Sequence, residues 1–217
     1  VASFLPAGAV SALYYADRLT QLPLGIVGIA LGTALLPTLT RLLVENRAED
    51  VAATQSRAIE YGLLLGLPAT AGLILLAGPI VHGLFERGAF GPAQTVAVAG
   101  ALGAYAAGIP AYILIRVFST LCFARQDTAT PMRTALVATA LAVTGAVLLM
   151  RPLGHVGIAL ATAVSAWANA GLLAWSLRRR GALPVDAGLR RRGGRILLAA
   201  LGMAAGLLLA RQGMTAA

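Results

Sequence analysis

Six runs of apolar residues, near 10–37, 59–85, 94–123, 132–150, 155–177 and 195–211, leave this chain few ways to fold. The hydrocarbon core of a bilayer is crossed by about 20 helical residues, and each run reaches or approaches that length. Lipid offers the backbone no hydrogen bonds, so a crossing segment closes its own as a helix. The connections between the runs are short and polar, and none is long enough for a soluble domain. The expected fold is all-α: a polytopic transmembrane helix bundle of about six spanning helices. Composition excludes the alternative. The chain is 59% hydrophobic and 12% charged, about half the charge of an ordinary soluble domain. Residues 1–5, "VASFL", carry no initiator methionine and no charged leader. They are expected to be the end of a preceding helix in a longer protein, not a signal peptide.

All 17 basic residues are arginine, and the net charge is +9. They do not gather on one solvated face as nucleic-acid binding requires, so no nucleic-acid partner is expected. They sort by side instead. Successive connections lie on alternate sides of a membrane, and cytoplasmic ones collect arginine. One set holds Arg41, Arg47, Arg57, Arg125, Arg133, Arg178, Arg179, Arg180, Arg190, Arg191, Arg192 and Arg195, which is 12; the other holds Arg87, Arg151 and Arg211, which is 3. This split supports the six-crossing division and places the 41–57 and 178–195 connections inside. The 178–195 arginines also suit anionic lipid at the inner leaflet.

Arg18 and Arg116 fall within apolar runs. Arg18 lies eight residues after Val10, about 12 Å along a helix. A charge near the middle of a span costs about 2.5–3.5 kcal/mol, and such residues face a partner or a wet cavity. The alternative is snorkelling to the headgroups. The neighbourhood favours a cavity. Tyr14, Arg18, Gln21 and Gly25 follow +4, +3, +4 spacing and share one helical face. Asp17 is adjacent to Arg18, about 100° around the helix, and faces it poorly. It is expected to pair with a basic residue on another helix, in this chain or in the missing part of a longer protein. A planar guanidinium suits phosphate. Arg116 lies about two turns from the inner end of its run, where both snorkelling and a cavity role remain open.

Pro23, Pro37, Pro68, Pro79 and Pro110 interrupt the runs. Proline removes a helical hydrogen bond, so kinked helices around a wet interior are expected. Gly28 and Gly32 form a G-x-x-x-G pair that lets another helix approach. Ser165 and Asn169 suit hydrogen bonds between helices, and His82 and His155 suit interfacial or packed positions. The single cysteine, Cys122, is expected to pack. No nucleophile–base set, metal-ligand cluster, P-loop or dinucleotide fingerprint occurs, so neither an enzyme, a metal nor a cofactor is expected.

The stretch "YYADRLTQLPLGIVGIALGTALLPTLTR", with "LLLGLPATAGLILLAGPIVHGLFERGAF" and "FARQDTATPMR" after it, resembles the second lobe of the MurJ (MviN) lipid II flippases. These belong to the multidrug/oligosaccharidyl-lipid/polysaccharide exporter superfamily. The likeness runs in order along nearly the whole chain, and its specific parts are the first stretch and the QDT-x-TP loop. It implies two lobes around a central cavity, with residues 1–217 as the C-terminal lobe. It implies transport of the undecaprenyl-pyrophosphate-linked peptidoglycan precursor from the inner to the outer leaflet of the bacterial cytoplasmic (inner) membrane. Arg18 and Asp17 align with a cavity arginine and its acidic neighbour, and Arg116 falls where relatives often carry a basic residue. The candidate substrate-binding set is Arg18, Asp17, Tyr14, Gln21 and Arg116. The implied partners are the lipid-linked pyrophosphate, membrane lipids and an N-terminal lobe. Some relatives hold sodium in this lobe through acidic or amide groups, which the 132–150 run lacks. The alternatives are an exporter of another lipid-linked oligosaccharide or of a drug, and a non-transporting membrane scaffold.

Overall fold

A computed structural model describes the backbone of residues 8–181 and 187–215 and the side chains of 8–28, 34–181 and 192–209. Residues 1–5, and the side chains of Gly32, Arg190, Arg191 and Arg211, lie outside the described residues. Every described element is a helix: α1 (Ala9–Val44), α2 (Ala48–Leu75), α3 (Ala77–Phe85), α4 (Pro92–Ala106), α5 (Ile109–Ala124), α6 (Ala129–Arg179) and α7 (Ala187–Thr215). Among the described residues four stretches are long and apolar enough to cross a membrane: Ala48–Leu75, Pro92–Ala124, Ala129–Arg179 and Arg192–Leu209. α1 is one continuous helix of 36 residues, about 54 Å long at 1.5 Å per residue.

Proline decides where the expected runs divide. The run near 59–85 forms two helices, α2 and α3, and the run near 94–123 forms α4 and α5. A proline ring collides with the carbonyl four residues earlier. Four residues before Pro79 is Leu75, the last residue of α2; four before Pro110 is Ala106, the last of α4. The break at Ala107 bares a carbonyl, and the Trp167 indole of α6 donates to it at 3.0 Å. This is the internal repair that lipid cannot supply.

The runs near 132–150 and 155–177 form one element, α6, which reverses at Gly154 with φ 58° and ψ −134°. Only glycine adopts that backbone easily. The two limbs then close on small residues, with a Cβ at Gly145 falling 3.2 Å from the Ala161 Cβ.

Two apolar clusters hold the ends of the bundle together. Leu39 and Leu42 of α1, Val51 of α2, Val117 and Leu121 of α5 and Leu177 of α6 meet at the arginine-rich end. Ala12 and Ala16 of α1, Val81 of α3, Val98 and Leu102 of α4 and Ala159 of α6 meet at the arginine-poor end. From α1 to α6 the described helices therefore run alternately between these two ends. Cys122 is buried in the first cluster.

The expected close approach at Gly28 does not occur, since the nearest atom to a Cβ there would be Arg116 Nη2 at 3.8 Å. Close approach falls on α2 instead. Ile113 of α5 wedges against Gly62 and Gly66, where any Cβ would overlap its side chain. Ser165 also differs from expectation, because its hydroxyl donates to Thr162 O within its own helix, at 2.8 Å.

The QDT-x-TP loop is a clasp at the arginine-rich end. Gln126 turns the chain with φ 59°. Asp127 then caps α6, accepting from Thr130 N at 3.0 Å and Thr130 Oγ1 at 2.6 Å. Arg180, at the far end of α6, donates to the same carboxylate at 2.5 Å. The Thr130 hydroxyl, and after it the Thr130 amide and Arg180, hold the Asp127 carboxyl below the usual range against a modest desolvation effect. A depressed carboxyl stabilises the fold fully above the pKa of an unfolded aspartate, about 3.9, and loses that contribution as pH falls through its lower folded value. Thermal unfolding in detergent should therefore show the wild type more stable than Asp127→Asn at neutral pH. The gap should close below about pH 4. A gap constant across that range would deny the clasp its charge.

Candidate functional site

The polar stripe of α1 stands on the open face of the bundle. Ala12, Ala16 and Leu19 turn into the core, which leaves Tyr14, Arg18, Gln21 and Gly25 exposed on the other side. Arg18 Nη1 donates to Gln21 Oε1 at 3.1 Å, and its guanidinium lies 5.0 Å from the centre of the Tyr14 ring. Gln21 Nε2 in turn donates to Asp17 Oδ2 at 2.5 Å. Asp17 and Arg18 thus do not pair directly. Gln21, one turn on from both, bridges them with its two amide atoms.

The basic partner expected for Asp17 on another helix is absent among the described residues. Four of the five N–H donors of the Arg18 guanidinium remain open, because its one hydrogen bond is to Gln21 through Nη1. A cation so placed offers its fork to an anion.

A cleft of about 710 Å³ opens beside this stripe, between α1 and α5. Gln21, Gly25 and Gly28 line one wall, and Tyr112, Arg116 and Ser119 line the other. The Arg116 guanidinium crosses to α1 at Gly28, where Val27 packs near Ile113. Glycine at 28 leaves room for it. Side chains on a helix lean toward its N-terminus, and this lean carries Arg116 away from the inner end of α5. Of the two dispositions left open for Arg116, snorkelling does not describe this geometry. Arg116 makes no side-chain hydrogen bond or ion pair among the described residues.

The structure thereby brings all five candidate residues to one side of the bundle, with Gln21 common to the α1 stripe and the cleft. Sequence reading missed Tyr112 and Ser119. The signal was present: Tyr112, Arg116 and Ser119 repeat the +4, +3 spacing of Tyr14, Arg18 and Gln21. A larger cavity of about 800 Å³, lined in part by Tyr15, Phe85, Phe90 and Arg87, lies at the arginine-poor end and takes none of the five.

Both histidines make contacts within the lobe. His155 Nε2 meets Ala97 O at 2.9 Å and ties α6 to α4. His82 pairs with Glu86 one turn on, at 2.9 Å. Among the described residues no group of three or more His, Cys, Asp or Glu is placed to hold a metal.

The family described as lipid II flippase MurJ matches the chain over residues 1–216. A probable lipid II flippase MurJ of Rhizobium meliloti (strain 1021) is 47% identical over 203 residues, covering 94% of this chain and 38% of the relative. The lipid II flippase MurJ of Burkholderia cenocepacia is 34% identical over 181 residues, covering 83% and 35%. A solved lipid II flippase MurJ in an inward closed conformation superposes with a TM-score of 0.82 at 24% identity, covering 96% of this chain and 42% of that one. The chain therefore spans about two-fifths or less of the length of these relatives.

Proposed function

We propose, since the chain belongs to the MurJ lipid II flippase family, that it forms the C-terminal lobe of a flippase for the lipid-linked peptidoglycan precursor. The lobe crosses the bacterial inner membrane about six times. With an N-terminal lobe it encloses a cavity that opens alternately to each side. It is a transporter and not a catalyst. Arg18, steadied by Gln21 and Tyr14, meets the pyrophosphate. Asp17 acts through Gln21, and Arg116 adds positive charge to the same face. The undecaprenyl tail stays in the bilayer.

The observation that carries this reading is an exposed arginine about 12 Å along α1, on a face that its own lobe leaves open. Lipid does not stabilise a charge there, so the face requires a polar neighbour. A cationic cavity suits an anionic lipid headgroup and disfavours a cationic drug. A scaffold would bury the same face under protein.

Thiol labelling separates these readings. In the full-length protein, Tyr14→Cys and Gly25→Cys should react with a membrane-impermeant thiol reagent from at least one side of the membrane. Complete protection from both sides would favour a scaffold and sink the transport reading.

A further inference from the structure

The cleft between α1 and α5 contains a second cation, Arg116, whose side chain makes no hydrogen bond or ion pair among the described residues. Arg116 reaches α1 at Gly28, ten residues beyond Arg18, which is about 15 Å along the helix. The Arg18 guanidinium is held between Tyr14 and Gln21 instead, so the two cations address α1 at different levels. The surroundings of the two also correspond. Arg18 stands between Tyr14 and Gln21 on α1, and Arg116 stands between Tyr112 and Ser119 on α5, in the same Tyr-x-x-x-Arg-x-x-polar spacing. Tyr112, Arg116 and Ser119 all line the cleft. The Tyr112 and Ser119 hydroxyls make no hydrogen bond among the described residues, whereas the neighbouring Thr120 hydroxyl is engaged by Arg116 O at 2.8 Å.

We infer that Arg116, Tyr112 and Ser119 form a separate anion station, which takes the pyrophosphate of the lipid-linked substrate before Arg18 does. This rests on the flippase reading above. The order follows from position. Arg116 lies eight residues from the end of α5 at Ala124, at the arginine-rich end, so an anion arriving from the inner leaflet meets it first. Gln21 belongs to both stations: it lines the cleft and holds Arg18. Between them α1 presents Gly25 and Gly28 to the cleft, beside Leu24 and Val27.

The test uses the full-length protein in phosphatidylcholine nanodiscs, with Ser119→Cys or Tyr14→Cys as reporter and undecaprenyl pyrophosphate as probe. Native Cys122 is buried and stays silent. The probe should slow labelling of both reporters by an anionic thiol reagent at least tenfold. Adding Arg116→Ala should remove protection at Ser119→Cys and leave it at Tyr14→Cys; adding Arg18→Ala should do the reverse. Inorganic pyrophosphate and phosphatidylglycerol serve as comparison ligands. Equal protection by phosphatidylglycerol would overturn the inference in favour of general headgroup binding, and equal protection by inorganic pyrophosphate would show that the lipid plays no part. Protection at Tyr14→Cys alone would overturn the second station and leave the flippase reading standing. Protection at neither reporter would count against both.

Discussion

Full-length protein carrying Arg18→Ala is expected to fail to support growth of a flippase-depleted strain while accumulating to normal levels in the membrane. Folding should survive because the Arg18 side chain is exposed and contributes nothing to either apolar cluster. Its contacts are one hydrogen bond to Gln21 and a stack on Tyr14. Removing it relieves the cost of a charge at depth, so stability should hold or rise slightly. Binding should suffer. A hydrogen bond to a charged group is worth about 1.5–3 kcal/mol, which is roughly a 10- to 150-fold loss of affinity if one such bond is lost. Arg18→Lys keeps the charge but not the planar fork, and it should restore part of the function. Growth of the Arg18→Ala strain at the wild-type rate would remove Arg18 from the site.

The second large effect falls far from any charge. Gly157→Ala should destabilise the lobe by more than the 1–3 kcal/mol typical of overpacking. A Cβ at 157 would lie inside the van der Waals shell of the Leu149 carbonyl, on the other limb of α6. That obstacle is backbone and cannot rotate away. The second limb is packed against α5 as well, since a Cβ at Gly108 would lie 3.2 Å from the Ala163 Cα. The reversal at Gly154 fixes the hinge from which they diverge. Thermal unfolding in detergent should show a clear fall in Tm for Gly157→Ala. Gly171→Ala, on the same limb with open space around it, should show none, since alanine favours a helix by up to about 1 kcal/mol over glycine. Equal melting of the two variants would mean that the limbs do not pack as closely as described.

These two residues mark what was and was not legible before folding. Arg18 was legible because its neighbours repeat on a helical period, and a period is a property of one segment. Gly157 carried no such signal. It sits in an apolar run like many other glycines, and only the reversal at Gly154 brings Leu149 against it. The breaks at Leu76 and Ala107 were half legible. Pro79 and Pro110 were evident and interrupt their helices for one or two residues, but Pro23, Pro37 and Pro68, read the same way, lie inside continuous helices. Gly28 was read as part of a packing motif and meets no helix closely among the described residues, whereas Ile113 packs on Gly62 and Gly66, which have the same spacing as Gly28 and Gly32.

By itself the sequence determined that this chain is helical, that it lies in a membrane, and which residues share each helical face. Those properties depend on local hydrophobicity, on the 3.6-residue turn and on arginine counts, all of which are read one segment at a time. The tertiary structure decided which faces meet. It set Arg116 beside Gly28, let Gln21 bridge Asp17 and Arg18, joined Asp127 to Arg180 across 53 residues, and opened the cleft. Helix periodicity places a side chain around its own axis and says nothing of the neighbouring axis. That choice belongs to the packing of small and large side chains between helices.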